Sequence, residues 1–294
     1  MVKKISNQDA FDESKINGKA HGFWHKFFFA IFIIYIGLFV IFMGFYLDFK
    51  SKFECVHVLG ISMQPTINSS VVPGDPKNPE EKADWVYTSK VKPTYGDVVV
   101  LDAKEYNGKE ECIIKRVIAL EGDAVTIVKK YDEELEKKVF KVCVIKAENL
   151  EDGKIDDEDV VVLNEDYISS AEEWTYNSRH TVSDSEIYDA WFKFTYITNG
   201  SGYIKDDEGV IYTIVPEGEF FYLGDNRSHS SDSRMRGTDY VSSISGVVQF
   251  TVKDAESSGS AIFVQIKEVI IHYGNIIGNF FSQLWESLTN SFAI

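Results

Sequence analysis

The stretch Gly60-Ile61-Ser62-Met63-Gln64-Pro65-Thr66 decides how the rest of the chain is read. It ends an apolar, partly alternating segment, residues 53–61, that has the pattern of a β-strand. Pro65 then makes the chain turn just after a serine. A serine hydroxyl is a weak nucleophile near neutral pH and needs a base. The residue that fits is Lys115, in Cys112-Ile113-Ile114-Lys115-Arg116-Val117. Ser62 then reads as a nucleophile, Lys115 as its base, and the long apolar run just upstream as an anchor holding both at a membrane.

That run, residues 27–47, has 21 residues and no charge. A helix of this length spans about 30 Å, the thickness of a bilayer core. The rival is a cleaved signal sequence, but the run exceeds an ordinary signal core. The bulky, charged residues 46–55 after it also supply no small-x-small cleavage site. Lys3, Lys4, Lys15, Lys19 and Lys26 precede the run and only Lys50 and Lys52 follow closely. This puts residues 1–26, a polar tail, in the cytoplasm and the bulk of the chain outside.

The net charge of −16 argues against nucleic-acid binding, which wants a basic footprint. Residues 129–219 carry 23 acidic against 10 basic residues, a net of −13. The stretch reads as a solvated surface, with a cation- or partner-binding face as the alternative. Cys55, Cys112 and Cys143 form no C-x-x-C pair and read as small apolar side chains, with a Cys112–Cys143 disulfide as the alternative. His21 and His25 have helical i, i+4 spacing but nothing to complete a metal site. No metal or cofactor is expected.

Beyond the anchor the chain is β-rich. Residues 73–83 form a linker with three prolines. Strands are expected at 85–89, 98–101, 111–120 and 124–128, with Asn107-Gly108 at a hairpin tip. Residues 129–219 read as a β-rich insertion with strands at 139–145, 160–163, 191–198, 202–204 and 210–215. The framework, 48–128 and 220–256, resumes with strands at 220–223 and 244–252. Residues 257–294 close the chain with an amphipathic helix, its apolar positions recurring every three or four residues from Ile262 to Leu288. Packing on the β domain and lying in the membrane interface are its two readings.

A lysine acts as a base only when neutral. Its pKa must fall from about 10.4 to near 7, a cost of roughly 4 kcal/mol, which burial in an apolar setting supplies. By strand alternation Ile113, Lys115 and Val117 share an apolar face and Arg116 points the other way. His57, five residues before Ser62, would face away from it on a continuous strand. His229, in a serine-rich loop, is the rival base.

Four segments in order resemble the boxes of the bacterial type I signal peptidases, membrane-anchored Ser/Lys endopeptidases. Residues 60–67 resemble the serine box and Tyr95-Gly96-Asp97-Val98-Val99 the next. Residues 115–123, from Lys115-Arg116-Val117 to Gly122-Asp123, resemble the lysine box. Residues 224–234, GDNRSHSSDSR, resemble the last. The resemblance implies a mainly β signal-peptidase-like domain after one transmembrane helix. Ser62 falls on the nucleophile, Lys115 on the general base and Ser230 on a serine that hydrogen-bonds the lysine. Asp232 and Arg234 fall on a structural ion pair, and Gly224, Asp225 and Asn226 on the tight turn that brings this loop to the catalytic strands. The Ser62 backbone N–H is the implied oxyanion donor. Some members add a hydroxyl two residues earlier, where this chain has Gly60. Ala119 and Glu121 depart from the glycine and proline of many relatives.

The implied partners are preproteins carrying signal peptides, cleaved after small residues at −1 and −3, and the lipid bilayer. Val58, Ile61, Met63, Ile113 and Ile114 are the candidate walls for a peptide bound as an added strand. Two alternatives stay open: a specialised relative processing pilins or conjugation proteins, and a catalytically silent membrane-tethered binding module.

Overall fold

The computed structural model describes residues 13–71, 83–104, 110–133, 136–150, 154–168, 202–253 and 261–291. The expected linker, the Asn107-Gly108 tip and the expected strand at 191–198 fall wholly or almost wholly outside these residues. The chain divides into two units, residues 1–51 with 265–294 and residues 52–264.

In the first unit, helix α1 (Glu13–Lys52) is longer than the apolar run at both ends, reaching back into the segment read as a polar tail. Within it, Phe23–Lys52 is long and apolar enough to cross a membrane. Side chains from Phe23 to Ile41 are exposed, as lipid-facing residues would be. The C-terminal amphipathic helix is present as α3 (Ala261–Ser291). Tyr273 stacks on Phe45 with ring centroids 4.6 Å apart, and His272 meets Phe49 edge-on. Past this contact, Ile276, Ile277, Phe280, Phe281 and Trp285 are exposed.

The described residues of the second unit form two antiparallel sheets. The seven-stranded sheet has the order β1-β2-β12-β3-β4-β10-β11. Its strands are β1 (Glu54–His57), β2 (Trp85–Ser89), β3 (Val98–Lys104), β4 (Glu110–Leu120), β10 (Glu219–Leu223), β11 (Asp239–Tyr240) and β12 (Ile244–Val252). The five-stranded sheet has the order β7-β6-β5-β9-β8, from β5 (Ala124–Asp132), β6 (Lys137–Ile145), β7 (Val161–Val162), β8 (Tyr203–Lys205) and β9 (Ile211–Ile214). Lys129, where the composition turns acidic, lies inside β5, so the change of composition and the change of sheet do not coincide.

β4 organises the unit. Its first part pairs with β3, from Lys104↔Glu110 to Val98↔Arg116, and its last part with β10, from Leu223↔Arg116 to Phe220↔Leu120. Register shifts at Phe221/Tyr222, Ile244/Gly246 and Val248/Phe250 bend the sheet. Both faces of β3 and β4 are covered, which explains the continuous apolar run at residues 98–101 in β3 and the apolar residues on either side of Lys115-Arg116 in β4. Val99, Leu101, Ile113 and Val117 pack with Phe220 and Tyr222 on one side. Val100 and Ile114 pack with Val58, Met63 and Ile67 on the other. A third cluster, including Ile118, Val125, Val142, Phe221 and Leu223, joins the two sheets.

β1 ends at His57, short of the expected strand end at Ile61. The alternation argument therefore does not carry from His57 to Ser62. Residues 61–67 form turns closed by Gln64 N–H to the Ile61 carbonyl at 3.1 Å and Ile67 N–H to the Met63 carbonyl at 2.9 Å. Buried Asn68 holds this loop. Its amide donates to the Val58 and Gly60 carbonyls at 2.6 and 2.7 Å, and its oxygen accepts from Asp84 N–H at 2.6 Å. Its own N–H donates to the Asp84 carboxylate at 2.7 Å, and its φ of 61° lies in the left-handed region that Asn tolerates. Asn68→Ala strips three side-chain bonds from backbone groups and puts in the left-handed region a residue without the short polar side chain that lets Asn adopt it. Urea unfolding of the detergent-solubilised chain should show a loss of about 3 kcal/mol; a loss below about 1 kcal/mol would contradict the staple.

Candidate active site

Ser62 sits on the first turn after β1, and Lys115 on β4 where that strand passes from β3 to β10. Their reactive atoms meet: Lys115 Nζ lies 2.9 Å from Ser62 Oγ, and also donates to the Ile114 carbonyl at 2.7 Å. Lys115 is 3% exposed. Such burial disfavours the ammonium form, the direction that a lysine base requires.

The loop that follows β10 clasps the serine turn. Asn226 N–H donates to the Ser62 carbonyl at 2.9 Å, and its side-chain amide to the Ile61 carbonyl at 3.2 Å. Asp225 accepts two bonds from Arg116, at 2.8 and 2.6 Å, and one from the Thr66 hydroxyl at 2.5 Å. One carboxylate thus ties β4, the serine turn and the last box together. Gly224 is required by close approach: a Cβ there would lie 2.2 Å from Ser230 Oγ and 2.6 Å from the Ser62 carbonyl oxygen. Alternation anticipated that Arg116 points away from Lys115. It did not show that a charged side chain on a buried strand demands a partner, which was the available signal for Asp225.

Beneath the loop, Asp232 and Arg234 form a buried two-bond pair at 2.8 and 2.9 Å. Asp232 also accepts from Gly224 N–H at 3.0 Å and caps the short helix α2 (Ser233–Arg236). Arg234 donates to the Arg227 carbonyl at 2.7 Å. The pair is therefore interior, not a surface ion pair. Ser230 Oγ is buried and makes no hydrogen bond to Lys115 among the described residues, so the lysine bond implied for it is not present in this geometry.

A cleft of about 380 Å³ opens on Ser62 and Lys115. Val58, Ile61, Ile113 and Ile114 line it, as does Gly60. Met63 does not: it is fully buried in the core with Val58 and Ile67. The cleft also takes in residues that sequence reasoning did not assign to its walls, among them Leu59, Ser231 and Arg236. His229 and His57 line it too, and His229 Nδ1 lies 3.4 Å from the Asn226 side-chain oxygen. Cys112 is exposed at the cleft, not a small core residue, and Cys55, Cys112 and Cys143 form no disulfide with one another.

Burial alone would raise the Asp232 pKa, but the Arg234 charge and its hydrogen bonds outweigh this and hold it below the ordinary value. The Gly224 N–H helps, and the nearby Ser230 hydroxyl adds least. A depressed folded pKa means stability that is complete above the unfolded value of about 3.9 and lost as pH falls through the folded one. Asp232→Asn should unfold about 3–5 kcal/mol more easily at pH 7, because Arg234 is left buried without its carboxylate. Its further loss between pH 4 and pH 2 should be smaller than that of the unsubstituted chain in urea titrations. Equal acid losses would contradict the assignment.

Residues 24–253 match the family model described as signal peptidase, peptidase S26. Signal peptidase I of Rickettsia conorii is 29% identical over 157 residues, 49% of this chain and 45% of that one. Signal peptidase I of Aquifex aeolicus is 28% identical over 172 residues, 52% of this chain and 62% of that one. The chain thus spans about half the length of these relatives. A crystal structure of a signal peptidase I from Enterococcus faecalis aligns with 54% of this chain and 98% of its own, at 24% identity and a TM-score of 0.28. Since the family match runs from the apolar helix through the last framework strand, this chain belongs to the signal peptidase family, peptidase S26.

Proposed function

We propose that this chain is a membrane-anchored serine endopeptidase that removes signal peptides from secreted preproteins with a Ser62/Lys115 dyad. The observation that carries the proposal is the 2.9 Å approach of Lys115 Nζ to Ser62 Oγ at the floor of an open cleft. Neutral Lys115 takes the hydroxyl proton as Oγ attacks the scissile carbonyl, then returns it to the leaving amine. The Ser62 N–H faces the developing oxyanion. Ser230, a buried hydroxyl beside Gly224, orients the lysine amine once the substrate is in place. Asp232, Arg234 and the 224–226 turn hold the loop.

The substrate lies extended between residues 56–61 and 112–115, taking main-chain bonds as an added strand. Val58, Ile61, Ile113 and Ile114 shape the shallow apolar recesses that accept small side chains. α1 crosses the bilayer with its N-terminus in the cytoplasm, placing the cleft on the outer side where exported preproteins emerge.

Cleavage of a secretory preprotein by the detergent-solubilised chain tests the dyad. Ser62→Ala and Lys115→Ala should each lower kcat by a factor on the order of 10⁴. His229→Ala should stay within a few-fold of wild type. The rate should rise with pH as Lys115 loses its proton. Full activity of Lys115→Ala, or a flat profile from pH 5 to 9, would sink the lysine base. A collapse confined to His229→Ala would move the role to His229.

Gly60 offers no hydroxyl to the oxyanion, yet a Cβ there would meet nothing within 4 Å. Gly60→Ser should therefore fold normally and raise kcat several-fold by adding a donor. An unchanged or lowered kcat in a folded variant would mean that the second donor position is already served.

A further inference from the structure

Residues 163–168 lie in the acidic stretch that reads from sequence as solvated surface, yet they are built into the protein. Leu163 and Ile168 pack on the cluster that joins the two sheets, and Leu163 N–H donates to the Val142 carbonyl at 2.9 Å. Between these anchors two side chains turn to arginines of the site loops. The Glu165 carboxylate takes both ends of the Arg227 guanidinium, with the Nη1–Oε2 bond at 3.2 Å; their side chains are only 5% and 2% exposed. Arg227 in turn donates from Nε to the Gly224 carbonyl at 2.9 Å. The Tyr167 ring lies under the Arg116 guanidinium, 4.1 Å from ring centroid to Cζ. Its hydroxyl donates to Glu165 at 3.0 Å. Arg116 carries the carboxylate of Asp225, which holds Thr66.

We propose that Glu165 and Tyr167 are positioning residues that reach from the second sheet to hold Arg227 and Arg116, and through them the 224–226 turn, in the register that keeps Ser62 against Lys115. The inference rests on the dyad reading above and deepens it. Neither residue lines the cleft, so neither contributes to binding the peptide directly. Their contribution is orientation, and a displacement of the nucleophile near 1 Å costs up to about 10²-fold in rate. The buried two-bond ion pair supplies rigidity, and the ring over Arg116 keeps that guanidinium flat for its two bonds to Asp225.

The test uses the full chain in detergent with a preprotein substrate, alongside hydrogen exchange of the backbone amides. Glu165→Gln keeps the shape but removes the charge. It should lower kcat about tenfold with KM within twofold, and speed exchange about tenfold at residues 224–228 while β5 and β6 stay protected. Tyr167→Leu should do the same more weakly, about threefold in kcat. Tyr167→Phe, which keeps the ring, should restore kcat to within twofold of wild type. Unchanged exchange at the turn, or unchanged kcat despite faster exchange, overturns the proposal. So does exchange that rises across the whole β unit, or a Tyr167→Phe as impaired as Tyr167→Leu. If the unsubstituted chain cleaves no preprotein, the dyad reading falls on that result, and the exchange pattern alone decides whether the clamp exists.

Discussion

The Asp225 carboxylate, fully buried and shared between Arg116 and Thr66, is the contact on which the site depends. Removing a carboxylate from water is expensive, and only a well-aligned opposite charge with further hydrogen bonds repays it. Arg116 supplies two of those bonds and the Thr66 hydroxyl a third. Because the three groups come from β4, the serine turn and the loop after β10, satisfying one charge fixes three segments at once. The residue before Arg116 on β4 is Lys115. The same strand therefore presents its lysine to the serine on one side while its arginine is locked on the other.

A second buried pair repeats the principle one layer down. Asp232 and Arg234 hold Gly224, and Gly224 leaves room for both Ser230 and the Ser62 carbonyl. A loop with little apolar content cannot be held by burial of hydrocarbon, so charge pairing and capping take that role. These pairs are specific in geometry more than stabilising in net free energy, since replacing a buried pair by apolar groups is often neutral. Registration of the Ser62 hydroxyl against Lys115 is a use for which geometry matters more than free energy.

Much of the fold was legible because runs rich in β-branched, aromatic and other apolar residues map directly onto buried strands. The runs at Val98-Val99-Val100-Leu101, at Cys112–Ala119 and at Phe220-Phe221-Tyr222-Leu223 became β3, β4 and β10. The pairing of Ser62 with Lys115 was legible through the resemblance of four boxes, not through spacing, because 53 residues of separation carry no geometric information. Other readings failed for definite reasons. Met63 looked like a cleft wall, but the turn at residues 61–67 aims it into the core. His57 looked misdirected only while the strand was assumed to run on to Ile61. Glu165 looked like solvated charge because composition counts residues without knowing which arginine faces them.

By itself the sequence determined the helix long enough to span a bilayer, the β-rich character of the remainder and the residue types available for a Ser/Lys site. These follow from local properties: hydrophobic length, alternation and turn residues act within a few positions of one another. Only the tertiary structure decided that Arg116 meets Asp225, that the buried Ser230 hydroxyl makes no bond to Lys115 among the described residues and that Glu165 and Tyr167 reach the site loops. Those contacts join segments tens to more than a hundred residues apart. Their energy depends on burial and on angles of a few degrees between charged groups, which no one-dimensional pattern contains.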